Sequence, residues 1–160
     1  MLNNKWKLSF LMILIVGLMS GCTQQNYKPS KTSLELQSIQ KREFDTTYKV
    51  AFASALSVFQ DKGYVVDTAD SSTGFITAES NKSSGFVPFV GQTIEYTKST
   101  AFIEVMPSSL VAIRLNFVKH QETSSGYGMK GGNSVPIEAP EFYQGVFEDI
   151  QKAIFVRTSQ

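Results

Sequence analysis

The chain has 160 residues, with 15 lysines and arginines against 14 aspartates and glutamates, one histidine, one cysteine and a formal charge of +1. That length suits one domain with short appendages. A near-neutral balance lacks the basic footprint of a nucleic-acid binder, and a single cysteine excludes an intramolecular disulfide framework.

In chain order, the first nine residues carry Lys5 and Lys7 and no acid. Phe10 to Met19 is apolar apart from Gly17, and the small residues Ser20 and Gly21 stand directly before Cys22. A basic start, a short apolar run and a small-residue exit make an export signal. Ten helical residues span only about 15 Å, whereas a bilayer core needs roughly 20 residues, so a permanent transmembrane anchor fits poorly. Met19-Ser20-Gly21-Cys22 resembles the lipobox of bacterial lipoproteins, with methionine where leucine is commonest. The resemblance implies removal of residues 1–21, a diacylglycerol on the Cys22 thiol and acylation of the new amine. Two or more acyl chains hold a protein stably at a membrane. Thr23, where aspartate often marks inner-membrane retention, implies the outer membrane, with the folded part on the periplasmic face. Without Lys5 and Lys7, 13 cations face 14 anions, which leaves no polybasic membrane patch.

Residues 22–33 form an acylated N-terminus and polar tether, and residues 34–160 one folded domain. The 11 residues after Cys22 reach at most about 36–40 Å when extended. Leu34 and Leu36 alternate with polar residues and predict a first strand toward Phe44. Asp45 is placed to cap a helix from Thr46 to Lys62, whose apolar stripe is Tyr48, Ala51, Phe52, Ala55, Leu56 and Phe59. Gly63 stands where a left-handed C-terminal cap is wanted. Tyr64 to Ala69 and Phe75 to Glu79 flank the turn cluster Asp70-Ser71-Ser72-Thr73-Gly74 and predict a hairpin.

Gly85-Phe86-Val87-Pro88-Phe89-Val90-Gly91 is an apolar run between glycines, and Pro88 argues against a central strand. Two readings stand. The run is a loop that folds its phenylalanines back over the sheet edge, or Phe86, Val87, Phe89 and Val90 form an exposed patch for a partner or lipid. Thr93 to Met106 and Leu110 to His120 predict long strands. The second alternates Val111, Ile113, Leu115 and Phe117 with a mixed face, as an antiparallel sheet covered on one side requires. Gln121 to Ser134 predicts a glycine-rich loop. Pro140 suits the first turn of a last helix with Tyr143, Val146, Phe147, Ile150 and Ile154 at helical spacing. The order strand, helix, four strands, helix predicts an α+β two-layer domain, an antiparallel sheet with two helices packed on one face.

Few residues predict chemistry. Gly126-Tyr127-Gly128-Met129-Lys130-Gly131 matches G-x-G-x-x-G, but that motif works between a strand and a helix N-terminus, and Pro136 with its neighbours cannot be that helix. His120 has no second histidine or free cysteine to join it in a zinc site. Glu95 with Glu104, or Glu148 with Asp149, are more ordinary as solvated charges than as acid–base pairs. No catalytic residue, metal site or cofactor is expected beyond the covalent lipid on Cys22, and no nucleic acid.

Phe59-Gln60-Asp61-Lys62-Gly63-Tyr64, Thr73 to Ala78, and Phe142-Tyr143-Gln144 with Val146-Phe147 and Ile154-Phe155 are similar to the mature domains of a group of uncharacterised Gram-negative lipoproteins. The resemblance spans roughly residues 36–157 and supplies no known active site. A helix laid against an antiparallel sheet also resembles, in architecture alone, the helix-grip domains of the outer-membrane assembly lipoproteins. Two functions are expected. One is a non-enzymatic accessory part of an envelope assembly or transport system, with an envelope protein as partner. The alternative is a small-ligand or lipid-binding module with a cavity between helices and sheet. A well-formed apolar pocket would mark the second, and a filled core with an exposed apolar run the first.

Overall fold

A computed structural model describes residues 30–88, 91–125, 128 and 130–159. Among these residues the chain forms three helices and one seven-stranded antiparallel sheet, an α+β fold. The first element corrects the expected strand at Leu34: α1 is a helix, Ser33–Gln40. Thr32 and Glu35 form a reciprocal capping box, with the Glu35 carboxylate accepting from the Thr32 backbone N–H at 2.7 Å. Closing two exposed amide groups this way outweighs a two-residue alternation of leucines. The strand β1, Lys41–Phe44, begins only after it. The Ser30 hydroxyl donates to Glu138 at 2.5 Å, tying this residue to the segment before the last helix.

Helix α2 spans Tyr48–Asp61 and is capped by Thr47, not Asp45; the Thr47 hydroxyl accepts from the Val50 amide at 3.4 Å. Gly63, at φ 79°, follows the helix as expected. Strands β2, Tyr64–Asp70, and β3, Phe75–Ser80, make the expected hairpin. Gly74 must be glycine there. At φ 81° a Cβ would stand 2.2 Å from the Ile103 carbonyl oxygen, because the Gly74 carbonyl accepts from the Ile103 amide at 2.9 Å.

Two expected loops are strands. Ser83–Val87 is β4, which pairs antiparallel with β5, Gly91–Val105. Residues of the glycine-rich stretch extend β6, Val111–Ser124, and form β7, Lys130–Pro136. Glycine weakens a strand through backbone entropy and its missing side chain, and serine offers little to pack, but pairing on a long neighbour supplies the ladder that periodicity does not announce. Helix α3, Pro140–Thr158, closes the chain with Pro140 in its first turn.

β5 and β6 pair along 14 residue positions, about 45–50 Å of strand. Each changes its outer neighbour midway. β5 pairs β3 over 98–102 and β4 over 91–95, while β6 pairs β1 over 111–114 and β7 over 118–124. At the first junction the Ser80 hydroxyl accepts from the Thr97 amide at 2.8 Å, satisfying a donor between the two ladders. At the second, the Ile137 amide donates to the Phe117 carbonyl and the Tyr143 hydroxyl donates to the Ile137 carbonyl.

The body holds the core. Ile76, Ala101 and Leu115 share one cross-strand row and Ala78, Ser99 and Phe117 the next, all buried. The same core takes Phe52, Ala55 and Phe59 from α2 and Tyr143, Phe147 and Ile150 from α3. Phe117 is its hub, with ring centroids of Phe59, Tyr64, Phe142 and Tyr143 within 6.0 Å. Leu115 of the sheet and Phe147 of α3 belong to this one core.

Candidate functional site

Beyond the body, strands β4, β5, β6 and β7 run on as a four-stranded arm. Its rows follow from the register: Lys98 with Val118 and Pro136, then Tyr96 with His120 and Ser134, then Ser84, Ile94, Glu122 and Gly132, and last Phe86, Gln92, Ser124 and Lys130. These side chains share the sheet face opposite to the one that carries Leu115 and Phe117, because strand neighbours alternate faces. Three rows past Val118 extend about 20 Å.

Phe86 is 73% and Val87 42% exposed, on a strand with all five residues exposed. Phe89, Val90 and Cys22, expected at the binding patch and the lipid site, lie outside the described residues. On the Phe86 face, a cavity of about 470 Å³ is lined by Ile94, Gln92, Glu122, Ser124, Lys130 and Gly132. Ile94 gives it an apolar wall, Gly132 leaves a gap where a side chain would stand, and Glu122 and Lys130 put one charge of each sign at its border. Sequence reading missed this hollow because its residues come from three strands, two of them partly read as loop.

The row below is polar and already satisfied. The rings of Tyr96 and His120 stack at 5.1 Å, Ser134 Oγ lies 2.8 Å from His120 Nδ1, and the Tyr96 hydroxyl donates to Glu122 at 2.8 Å. Lys82 Nζ stands 4.9 Å over the Tyr96 ring. The Glu122 hydrogen bond raises the Tyr96 phenol above its ordinary value, helped by burial and by nearby carboxylates. A Ser–His contact of this kind lacks the third group that orients a catalytic base: among the described residues His120 has no carboxylate bonded to it. It reads as cross-strand packing.

The other candidates separate. Glu95 and Glu104 are on opposite faces of β5; Glu95 pairs with Lys119 at 2.9 Å and accepts from Gln121. Asp149 is held by Lys62 at 2.8 Å and Lys152 at 3.1 Å, which keep its carboxyl below the usual range, while Glu148 accepts from Gln144. Gly128 lies between β6 and β7, and Lys130 and Gly131 open β7, so the stretch joins two antiparallel strands and not a strand and a helix. Among the described residues no three histidine, cysteine or acidic side chains gather as a metal site.

Two further cavities are lined by described residues. One of about 710 Å³ lies between the outer sides of α2 and α3, bordered by the Lys62–Asp149 pair and by Arg157, which donates to Ser57. One of about 170 Å³ lies where α1 and β1 meet α3. The two larger cavities lie outside the space between the helices and the core face of the sheet, and the smallest sits at its edge, where Arg42 covers Phe147. No family model matches the chain, and no curated protein matches it.

Proposed function

We propose that the chain is a lipid-anchored envelope protein that works by binding a polypeptide partner through its arm, not by catalysis. The observation that carries this reading is Phe86, a large apolar side chain 73% exposed on a projecting edge strand, on the sheet face that also holds a cavity lined mainly by polar residues, with Ile94 as its apolar wall. Exposed aromatics of this kind are the anchors of interfaces. The filled core supports partner binding over the small-ligand alternative: Phe59, Phe117, Tyr143 and Phe147 are at most 1% exposed and occupy the space a ligand would need. The anchor rests on Met19-Ser20-Gly21-Cys22, and placement at the outer membrane on Thr23. The eight residues after Cys22, Thr23 to Ser30, reach at most about 26–29 Å, enough for the arm to stand clear of a bilayer or to touch it.

The test is photo-crosslinking in cells, with a benzoylphenylalanine in place of Phe86 and, as control, in place of Gln151 on the exposed side of α3. A protein adduct at 86 and none at 151 is expected. Equal adducts at both, or none at 86, would remove the basis for the proposal. Acylation is tested separately by fatty-acid labelling: Cys22→Ala should abolish both the label and membrane retention, and label retained by the variant would refute it.

A further inference from the structure

The sheet has four outer edges among the described residues: β1 and β2 on the body, β4 and β7 on the arm. Folded proteins blunt such edges with charges, bulges or proline to prevent unwanted pairing. β1 is four residues long and carries Lys41, Arg42 and Glu43. β2 has a register shift between Val66 and Thr68 with the exposed Asp67 inside it. β7 opens with Lys130, contains Gly131 and Gly132, and ends at Pro136. Inside β4 there is no charge, no proline and no bulge: Ser83-Ser84-Gly85-Phe86-Val87 pairs in unbroken register with β5 and is exposed throughout.

Resting on the reading that the arm binds a polypeptide, we infer that the partner at this edge is a second copy of the chain, joined β4 to β4 in antiparallel register about Gly85. The strand is complementary to itself in that register. Ser83 faces Val87 of the second copy, Ser84 faces Phe86, and Gly85 faces Gly85. The nearest charge, Lys82, falls opposite Pro88, so no like charges meet. The two Phe86 rings stand diagonally on one sheet face, about 7–8 Å apart at the backbone, where aromatic side chains reach each other. Both lose the exposure each has alone. A five-residue edge is shorter than a standard interface of about 800 Å² per partner needs. The pair is therefore weak in solution and fills where two copies share a membrane, which raises their effective concentration.

Cys22 is the only cysteine and is used by the lipid in this account, so introduced thiols are unambiguous. Full-length Ser83→Cys and Val87→Cys chains are expressed alone and together, and disulfide-linked dimer is measured in membranes. Opposite residues lie within disulfide reach, whereas two Ser83 positions in this register are about 13 Å apart and two Val87 positions likewise. At least about tenfold more dimer is expected from the mixed population than from either variant alone, and Phe86→Ser in both chains should lower it. No dimer in the mixture, or as much from each variant alone, overturns the inference. A Phe86 photo-adduct to a different protein, with no mixed-thiol dimer, would leave arm binding standing and remove only self-pairing.

Discussion

Ser54 sits on the buried side of α2 with no exposed surface, and its hydroxyl has no hydrogen-bond partner among the described residues. An unpaired buried hydroxyl costs free energy, and alanine is the better helix former. Ser54→Ala should therefore stabilise the fold by about 1 kcal/mol, a rise of roughly 3–5 °C in Tm. A lower Tm would show that the hydroxyl is bonded. Asp70 is the opposite case, a carboxylate with every advantage of its turn. It accepts from the Ser72 hydroxyl at 2.6 Å and the Thr73 hydroxyl at 2.8 Å, which with the Ser72 amide hold its carboxyl down to about 2. Its folded value lies below the unfolded value of about 3.9, so its contribution is present above that value and is lost as pH falls from there through about 2. A carboxyl NMR titration should place the Asp70 midpoint near that low value, and an ordinary midpoint would mean that the turn is open. Gly74→Ala should be severely destabilising, by about 3 kcal/mol or more, since it adds a positive-φ cost to a clash with the Ile103 carbonyl. Denaturant unfolding measures it.

Among the elements, α2, the β2–β3 hairpin, the central part of β6 and α3 were legible because a periodic apolar face meets the core. Phe147 is 1% exposed, with the Phe44 ring 6.3 Å away and the Arg42 guanidinium 5.0 Å above it. Phe147→Ala should cost about 3–5 kcal/mol in a denaturation experiment, and an unchanged midpoint would contradict this packing. The strand expected at Leu34 failed differently. Leu34 is 78% exposed and α1 has no fully buried residue, so no apolar stripe announced the helix. The Thr32-x-x-Glu35 capping signature was the signal to weigh. β4, β7 and the outer part of β6 were illegible for the reason that makes them interesting. They face little or no core, so their ladders leave no alternation in the sequence. Asp45 also misled as the α2 cap, because Thr47 does that work two residues later.

At the scale of the whole molecule, one sheet serves two purposes. In its body, side chains of α2, α3 and the sheet share one filled aromatic core, and its arm carries an uncharged free edge and exposed Phe86. The α+β class followed from the order and periodicity of the elements, whereas the arm arises from two strands that outlast their first partners, a property of pairing that no local pattern encodes. Of the residues expected at the binding patch, the structure places Phe86 and Val87 on that edge strand. The central claim is that the arm binds through Phe86 without drawing on the fold's stability, and one comparison tests it. A photo-crosslinker at Gln92, paired with Phe86 across the ladder, is compared in the native chain and in Phe86→Ser, with Tm measured on each. The account predicts loss of the adduct with Tm changed by no more than about 3 °C, as for an exposed site. An adduct retained while Tm falls well beyond that would put Phe86 in the fold and contradict the account.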